Sequence, residues 1–400
     1  MMTMKANPGG ELDPKHVIGR DALIAFLWDR LEEQSVLIHA ERRIGKSVVI
    51  KKMCHEPKTG WTPIYRNLEN LSTAMEFAQQ VYNDIQEYLG SVKRAFNWIK
   101  DFLENNTVQV SNLKLKLKST PWKELLTSAI EDLQNSLNHN QAAYLTVKGR
   151  LVFFWDEVPY MIDKIRMNQG EMVAIDVLDT LRSLQGQYPS LRMVLTGSIG
   201  FHHVIGKLQA SGIATQPLNK LYKAPVEPLT PEFGAELAKA ILLGEAIKCP
   251  DLDLAARTIA ESVDNFPYYI HLVVAGLKQN EIEASKDEIK TFVDQQLVNA
   301  ADPWNLKHYH SRMTIYYPDK TQREAALAIL DTFATIQNRL EVKEIQAELQ
   351  KLNVQLPDRE SLVKLLQLMD ADHYLDRDLA GAYQFRFPLI RQWWKVDWSL

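Results

Sequence analysis

The chain has 400 residues, more than one ordinary hydrophobic core accommodates, and fits about two or three domains. With 46% hydrophobic and 24% charged residues it reads as globular, and a formal net charge of -4 excludes a global basic field for nucleic acid. Two cysteines, Cys54 and Cys249, cannot build a disulfide framework, and the longest purely apolar run, residues 151–155, is far short of the roughly 20 residues a membrane helix needs, so a cytoplasmic location without membrane contact is expected.

Residues 1–14 are polar, carry Pro8, Gly9 and Gly10, and read as a flexible tail without the apolar run of a signal peptide. Leu23, Ile24, Phe26, Leu27 and Leu31 recur at helical spacing and predict a helix over 16–34. A short β-type run, 35–39, leads into the turn 40–47 and a helix to about residue 53. A second strand is expected over 62–68, then helical sequence over 74–105. Residues 108–118 alternate apolar and polar and predict a strand or hairpin, part of an insertion over about 86–148. A helix over 122–137 precedes the strongest strand, 151–155, which ends in Asp156 and Glu157. A helix near 172–184 leads to strands over 192–196 and 224–228.

Strands alternating with helices predict an α/β domain with a mostly parallel sheet, covering 15–230. After Pro231 the sequence turns helical: 231–247, 253–263, 268–279 and 285–299 make a small lid bundle over 231–300. Residues 301–320, with Pro303 and Pro318, read as a connector. Three helical segments, 322–335, 341–352 and 359–370, precede short strands at 373–375 and 383–387 around a turn near Gly381, which predicts a winged helix over 321–400.

The turn Ala40-Glu41-Arg42-Arg43-Ile44-Gly45-Lys46-Ser47 matches a P-loop, with Ala40 replacing the first glycine. Such a turn aims backbone N–H groups and a helix N-terminus at phosphate oxygens. Gly45 permits close approach of the backbone, Lys46 reaches the β- and γ-phosphates, and the Ser47 hydroxyl ligates Mg²⁺. Arg42, Arg43, Ile44 and Val48 belong to the same nucleotide-binding segment. Ala40 fits if its backbone angle is ordinary. The strand ending in Asp156 and Glu157 is what a Walker B element needs: Asp156 holds Mg²⁺ through water, and Glu157 acts as general base on the attacking water. The strand at 192–196 ends in small hydroxyl residues, so Thr196 or Ser198 is a candidate polar sensor of the γ-phosphate. The extra strand between turn and acids, with a glutamate directly after the aspartate, points to the P-loop ATPases that carry their own catalytic glutamate.

These residues are similar to an archaeal-type ATPase family related to the STAND and AAA+ ATPases. Val17-Ile18-Gly19-Arg20-Asp21 resembles its opening, ERRIGKS its P-loop, FFWDEVPYMI its Walker B, VLTGSIGFHHVI its sensor strand and following helix, and YQFRFPLIRQWW the end of its winged helix. Asn265-Phe266-Pro267 resembles its "GxP" element, with the glycine missing. The resemblance implies that Val17 and Ile18 lie near the adenine and that Pro267 packs at the base or sugar. Arg182, Arg312 and Arg386 are candidate arginine fingers, each with a structural salt bridge as the alternative. The leading expectation is a Mg-ATP-hydrolysing switch that controls a protein partner, with ATP and ADP as ligands and a homo-oligomer open. Two alternatives stand: a DNA-binding regulator working through the winged helix, and a scaffold that binds ATP with little turnover. The acidic balance of 358–378 argues against a strong DNA face there.

Overall fold

The computed structural model describes residues 3–89, 121–138, 150–197, 200–210, 218–352, 354 and 358–400. The chain forms two compact units. One contains Met1–Asp21, Ala40–Lys46 and Val226–Leu400; the other contains Ala22–His39 and Ser47–Pro225.

The second unit is a parallel α/β layer. Its elements begin with α1 (Asp21–Glu33), β1 (Val36–His39), α2 (Lys46–His55), β2 (Trp61–Asn67), α3 (Ala74–Leu89) and α4 (Pro121–Asn138). They continue with β3 (Arg150–Asp156), α5 (Val158–Gln169), α6 (Glu171–Gln187), β4 (Arg192–Leu195), α7 (Phe201–Ala210) and β5 (Tyr222–Pro225). The sheet runs β2-β3-β4-β1-β5, and every neighbouring pair is parallel. β3 is an unbroken apolar run because it is covered on both faces. Leu151, Phe153 and Trp155 join a core with residues of α3, α4, α5, α6 and α7. Phe154 faces the other way, its ring 6.1 Å from that of Trp28 on α1. Burial of each such side chain contributes about 1.5–3 kcal/mol.

The helix expected over 16–34 starts only at Asp21. Pro14 opens a 3-10 turn, and Gly19 takes φ +70, which no right-handed helix continues through. Helix α5 has no counterpart in the sequence reading, although Val158, Met161, Ile162 and Ile165 are buried at helical spacing. Pro159 reads as a breaker, yet a first helical turn admits proline because its N–H groups lack intrahelical partners anyway. The strand expected over 224–228 is displaced to β5. The segment 108–118 and most of the expected insertion lie outside the described residues.

In the other unit, α8 (Pro231–Glu245), α9 (Leu252–Ser262), α10 (Pro267–Gln279) and α11 (Lys286–Leu297) form the helical bundle. Proline opens α8 and α10, while the Asp251 and Ser285 side chains accept first-turn N–H groups of α9 and α11. The expected connector carries two short helices, α12 (His308–Ser311) and α13 (Met313–Tyr316), and buries Trp304, Leu306, Tyr309, Met313 and Tyr317. Helices α14 (Lys320–Thr335), α15 (Val342–Lys351) and α16 (Arg359–Ala371) lead to the antiparallel hairpin β6 (Leu375–Arg377) and β7 (Tyr383–Phe385). Leu340 adds an antiparallel bridge to Tyr383, completing a winged-helix arrangement. Helix α17 (Pro388–Asp397) buries Trp393 and Trp394, and the Trp394 indole donates to Asp331 at 2.8 Å.

Residues 4–7, expected in a flexible tail, are held against the bundle. Met4 is buried and its N–H donates to the Ala240 carbonyl at 3.1 Å; those of Ala6 and Asn7 donate to Glu245 Oε1 (2.8 Å) and His271 Nδ1 (3.1 Å). Gly244 permits this approach, because a Cβ there would meet the Met4 carbonyl oxygen at 1.9 Å.

Candidate functional site

The C-terminal ends of β1, β3 and β4 point the same way in the parallel sheet, the end where α/β proteins collect ligands. The turn 40–46 follows β1 and leads into α2, as the sequence predicts. Ala40 is not among the residues with positive φ, so no glycine is required there. Gly45 takes φ +101, and Arg43 takes φ +68, a left-handed angle uncommon outside glycine. Several contacts hold Arg43 and Ile44 in this turn. The Arg43 guanidinium lies over the Tyr268 ring at 4.4 Å and donates to the Trp304 carbonyl. Arg20 donates to the carbonyls of Ile44 and Glu227, each at 2.9 Å. Lys46 curls back over the turn, its Nζ donating to the carbonyls of Ala40 (2.9 Å) and Glu41 (3.0 Å).

The acids sit at the tip of β3. Ser47 Oγ donates to Asp156 Oδ2 at 2.7 Å, and the Glu157 N–H donates to Asp156 Oδ1 at 3.1 Å. Tyr65 Oη approaches Asp156 Oδ2 at 3.4 Å from β2, a neighbour the sequence reading missed. Burial, helped by the Asp156 charge, holds the Tyr65 phenol well above its ordinary range, so it stays a neutral donor. Glu157 has φ 60 and ψ 31 and caps α5; a left-handed glutamate is a strained residue of the kind that clusters at functional sites. Thr196 links β4 to this tip: its N–H donates to the Trp155 carbonyl (3.0 Å) and its carbonyl accepts from the Val158 N–H (3.1 Å). Its hydroxyl is buried and has no hydrogen-bond partner among the described residues. Thus Ser47, Asp156, Glu157 and Thr196 come together, and Ser47 is joined in the chain to Lys46. Ser198 lies outside the described residues.

Arg42 is exposed and Val48 half-buried. Val17 and Ile18 are buried, and the adjoining Gly19 packs on Phe233 at the start of α8. Pro267 opens α10. The glycine missing before it is replaced by Asn265 at φ 57, a left-handed angle that asparagine tolerates. Each candidate arginine finger has an acidic partner: Arg182 with Asp179 at 3.5 Å, Arg386 with Glu227 at 2.8 Å, Arg312 with Glu41 at 2.8 Å.

Comparison with solved structures identifies the fold. The Walker-type ATPase PABY2304 of Pyrococcus abyssi matches with a TM-score of 0.62 at 16% identity, over 96% of this chain and 99% of that one. The ORC2 protein of Aeropyrum pernix, in its ADPNP–ADP complexes, matches with a TM-score of 0.52 at 10% identity, over 95% of this chain and 94% of that one. No protein-family model matches the sequence, and no curated protein matches it. The chain therefore has the P-loop NTPase fold with a C-terminal winged helix, as the sequence predicts.

Proposed function

We propose that this chain, folded like the Walker-type ATPases, binds Mg-ATP and hydrolyses it as a switch acting on a protein partner. One observation carries the reading: the hydroxyl of Ser47, directly after Lys46, lies 2.7 Å from the Asp156 carboxylate at the tip of the buried strand. A hydroxyl and a carboxylate suit a hard divalent cation such as Mg²⁺. The buried Thr196 hydroxyl, without a hydrogen-bond partner among the described residues, supplies a second fit, since a polar ligand would satisfy it. Among the solved relatives, the ORC2 protein has been described with ADPNP and ADP.

When bound, Mg²⁺ neutralises phosphate charge. Ser47 and Asp156 would hold it. Gly45 and the first N–H groups of α2 cradle the phosphates, and Lys46 exchanges its two carbonyl partners for phosphate oxygens. Glu157 orients the attacking water and accepts its proton on the carboxylate. The Thr196 hydroxyl donates to the γ-phosphate. Val17, Ile18 and Pro267 take the base and sugar. Such an exchange at Lys46 would give its side chain two arrangements, with and without phosphate, as a switch requires.

Calorimetry with Mg-ATP tests the reading. Heat of binding is expected from the wild type and is expected to vanish in Lys46→Ala; a wild type without heat would overturn it.

A further inference from the structure

Glu41 is an unexpected residue for a turn that receives phosphate, because its carboxylate adds negative charge beside a polyanion. It is almost completely buried, with a side chain only 1% exposed. Its carboxylate is held by Arg312: Nη1 donates to Oε1 at 2.8 Å and Nη2 to Oε2 at 3.1 Å, while the Arg42 N–H donates to Oε1 at 2.7 Å. Burial pushes the Glu41 carboxyl up, but the Arg312 charge outweighs it and holds the group below its ordinary range, so the pair is ionised. The Glu41 carbonyl is one of the two that hold Lys46.

Arg312 is fixed from the other side. Its Nε donates to Tyr374 Oη at 2.7 Å, and Tyr374 Oη donates in turn to the Tyr309 carbonyl at 2.5 Å. The rings of Tyr309, Tyr316 and Tyr374 lie 4.6, 5.3 and 4.4 Å from the guanidinium. A planar fork stacked on aromatic rings and paired bidentately with a carboxylate is a site only arginine fills.

We infer that Arg312 is a positioning residue for nucleotide binding: it cancels the buried charge of Glu41 and so fixes the backbone from which Lys46 reaches the phosphates. This inference rests on the reading of the turn as the ATP site. Because Tyr374 immediately precedes β6, the same contacts tie the turn to the winged helix, and displacement of that element would withdraw Arg312 and leave Glu41 opposing the phosphates.

Removing one partner of a buried ion pair strands a charge, whereas removing both charges together is far less costly. That asymmetry supplies the test. Mg-ADP affinity is measured by calorimetry on the full chain for wild type, Arg312→Gln, Glu41→Gln and the double variant, with thermal unfolding alongside. Arg312→Gln is expected to weaken binding about tenfold or more, and Glu41→Gln in the same background is expected to restore most of it. A structural role alone would lower stability in these variants without that restoration of affinity. If Arg312→Gln does not fold, Arg312→Lys carries the test: it keeps the charge but loses the fork, and a weakening of about threefold or more is expected. Wild-type affinity in Arg312→Gln or in Arg312→Lys, or a double variant no tighter than Arg312→Gln, overturns the inference. If Lys46→Ala abolishes binding while Arg312→Gln leaves it unchanged, the site stands and only the role of Arg312 falls; absence of binding in the wild type removes both.

Discussion

The Tyr65 hydroxyl approaches Asp156 at Oδ2, the same oxygen that accepts the hydrogen bond of Ser47. Its distance of 3.4 Å makes it the weaker of the two donors. Tyr65→Phe is therefore expected to leave the fold and metal-free nucleotide binding unchanged, and to raise the Mg²⁺ concentration for half-maximal hydrolysis by about two- to fivefold. A magnesium titration of steady-state hydrolysis measures this; an unchanged titration would show that Tyr65 takes no part in the proposed Mg²⁺ site.

The proposed roles of the neighbours Asp156 and Glu157 differ, and so do their surroundings. Asp156 is hydrogen-bonded to Ser47, whereas Glu157 occupies the left-handed cap of α5. Glu157→Gln keeps the size and the backbone but removes the proton acceptor. It is expected to bind Mg-ATP like the wild type and to turn over about 10²–10⁴-fold more slowly in single-turnover assays. Normal turnover in this variant would contradict the assignment of the base.

The Thr196 hydroxyl offers a sharper separation of stability from activity. A buried hydroxyl without a partner costs about 1 kcal/mol or more. Thr196→Val replaces it with a methyl of similar shape. Thermal and urea unfolding should show equal or greater stability, while hydrolysis falls about tenfold because the γ-phosphate loses a donor. Unchanged hydrolysis would remove Thr196 from the site.

Asp264 gives a pH prediction with a definite sign. Burial raises its carboxyl from 3.8 to about 6, although the Leu389 N–H donates to Oδ2 at 2.7 Å. Between pH 4 and 6 the folded chain keeps a proton that the unfolded chain has lost, so this group's contribution to stability falls as pH rises through that window. Near neutral pH the loss is about 3 kcal/mol. Asn accepts the same hydrogen bond and tolerates the residue's φ of 51. Asp264→Asn should therefore raise the Tm at pH 7.5, with the gain shrinking toward zero at pH 4. A gain independent of pH would show that charge burial is not its cause.

Much of the candidate site's geometry was legible because its signals are local. The apolar run of β3 ends directly in its acids, and the Gly45-Lys46-Ser47 turn lies between a strand and a helix. Helix α5 was also encoded in spacing but was obscured by Pro159. The burial of Trp304, Tyr309 and Tyr317 in the connector was not legible, because it follows no repeating period. Asn265 takes a left-handed backbone angle, which a residue pattern does not display.

The sequence by itself determined the order of the strands, the turn between β1 and α2 and the acidic tip of β3, since periodicity and short motifs act between near neighbours. Only the tertiary structure decided that Glu41 is neutralised by Arg312, 271 positions away, and that Tyr65 joins Asp156 from the adjacent strand. A buried charge must find an opposite charge wherever packing delivers one, and that delivery depends on the whole fold rather than on spacing along the chain.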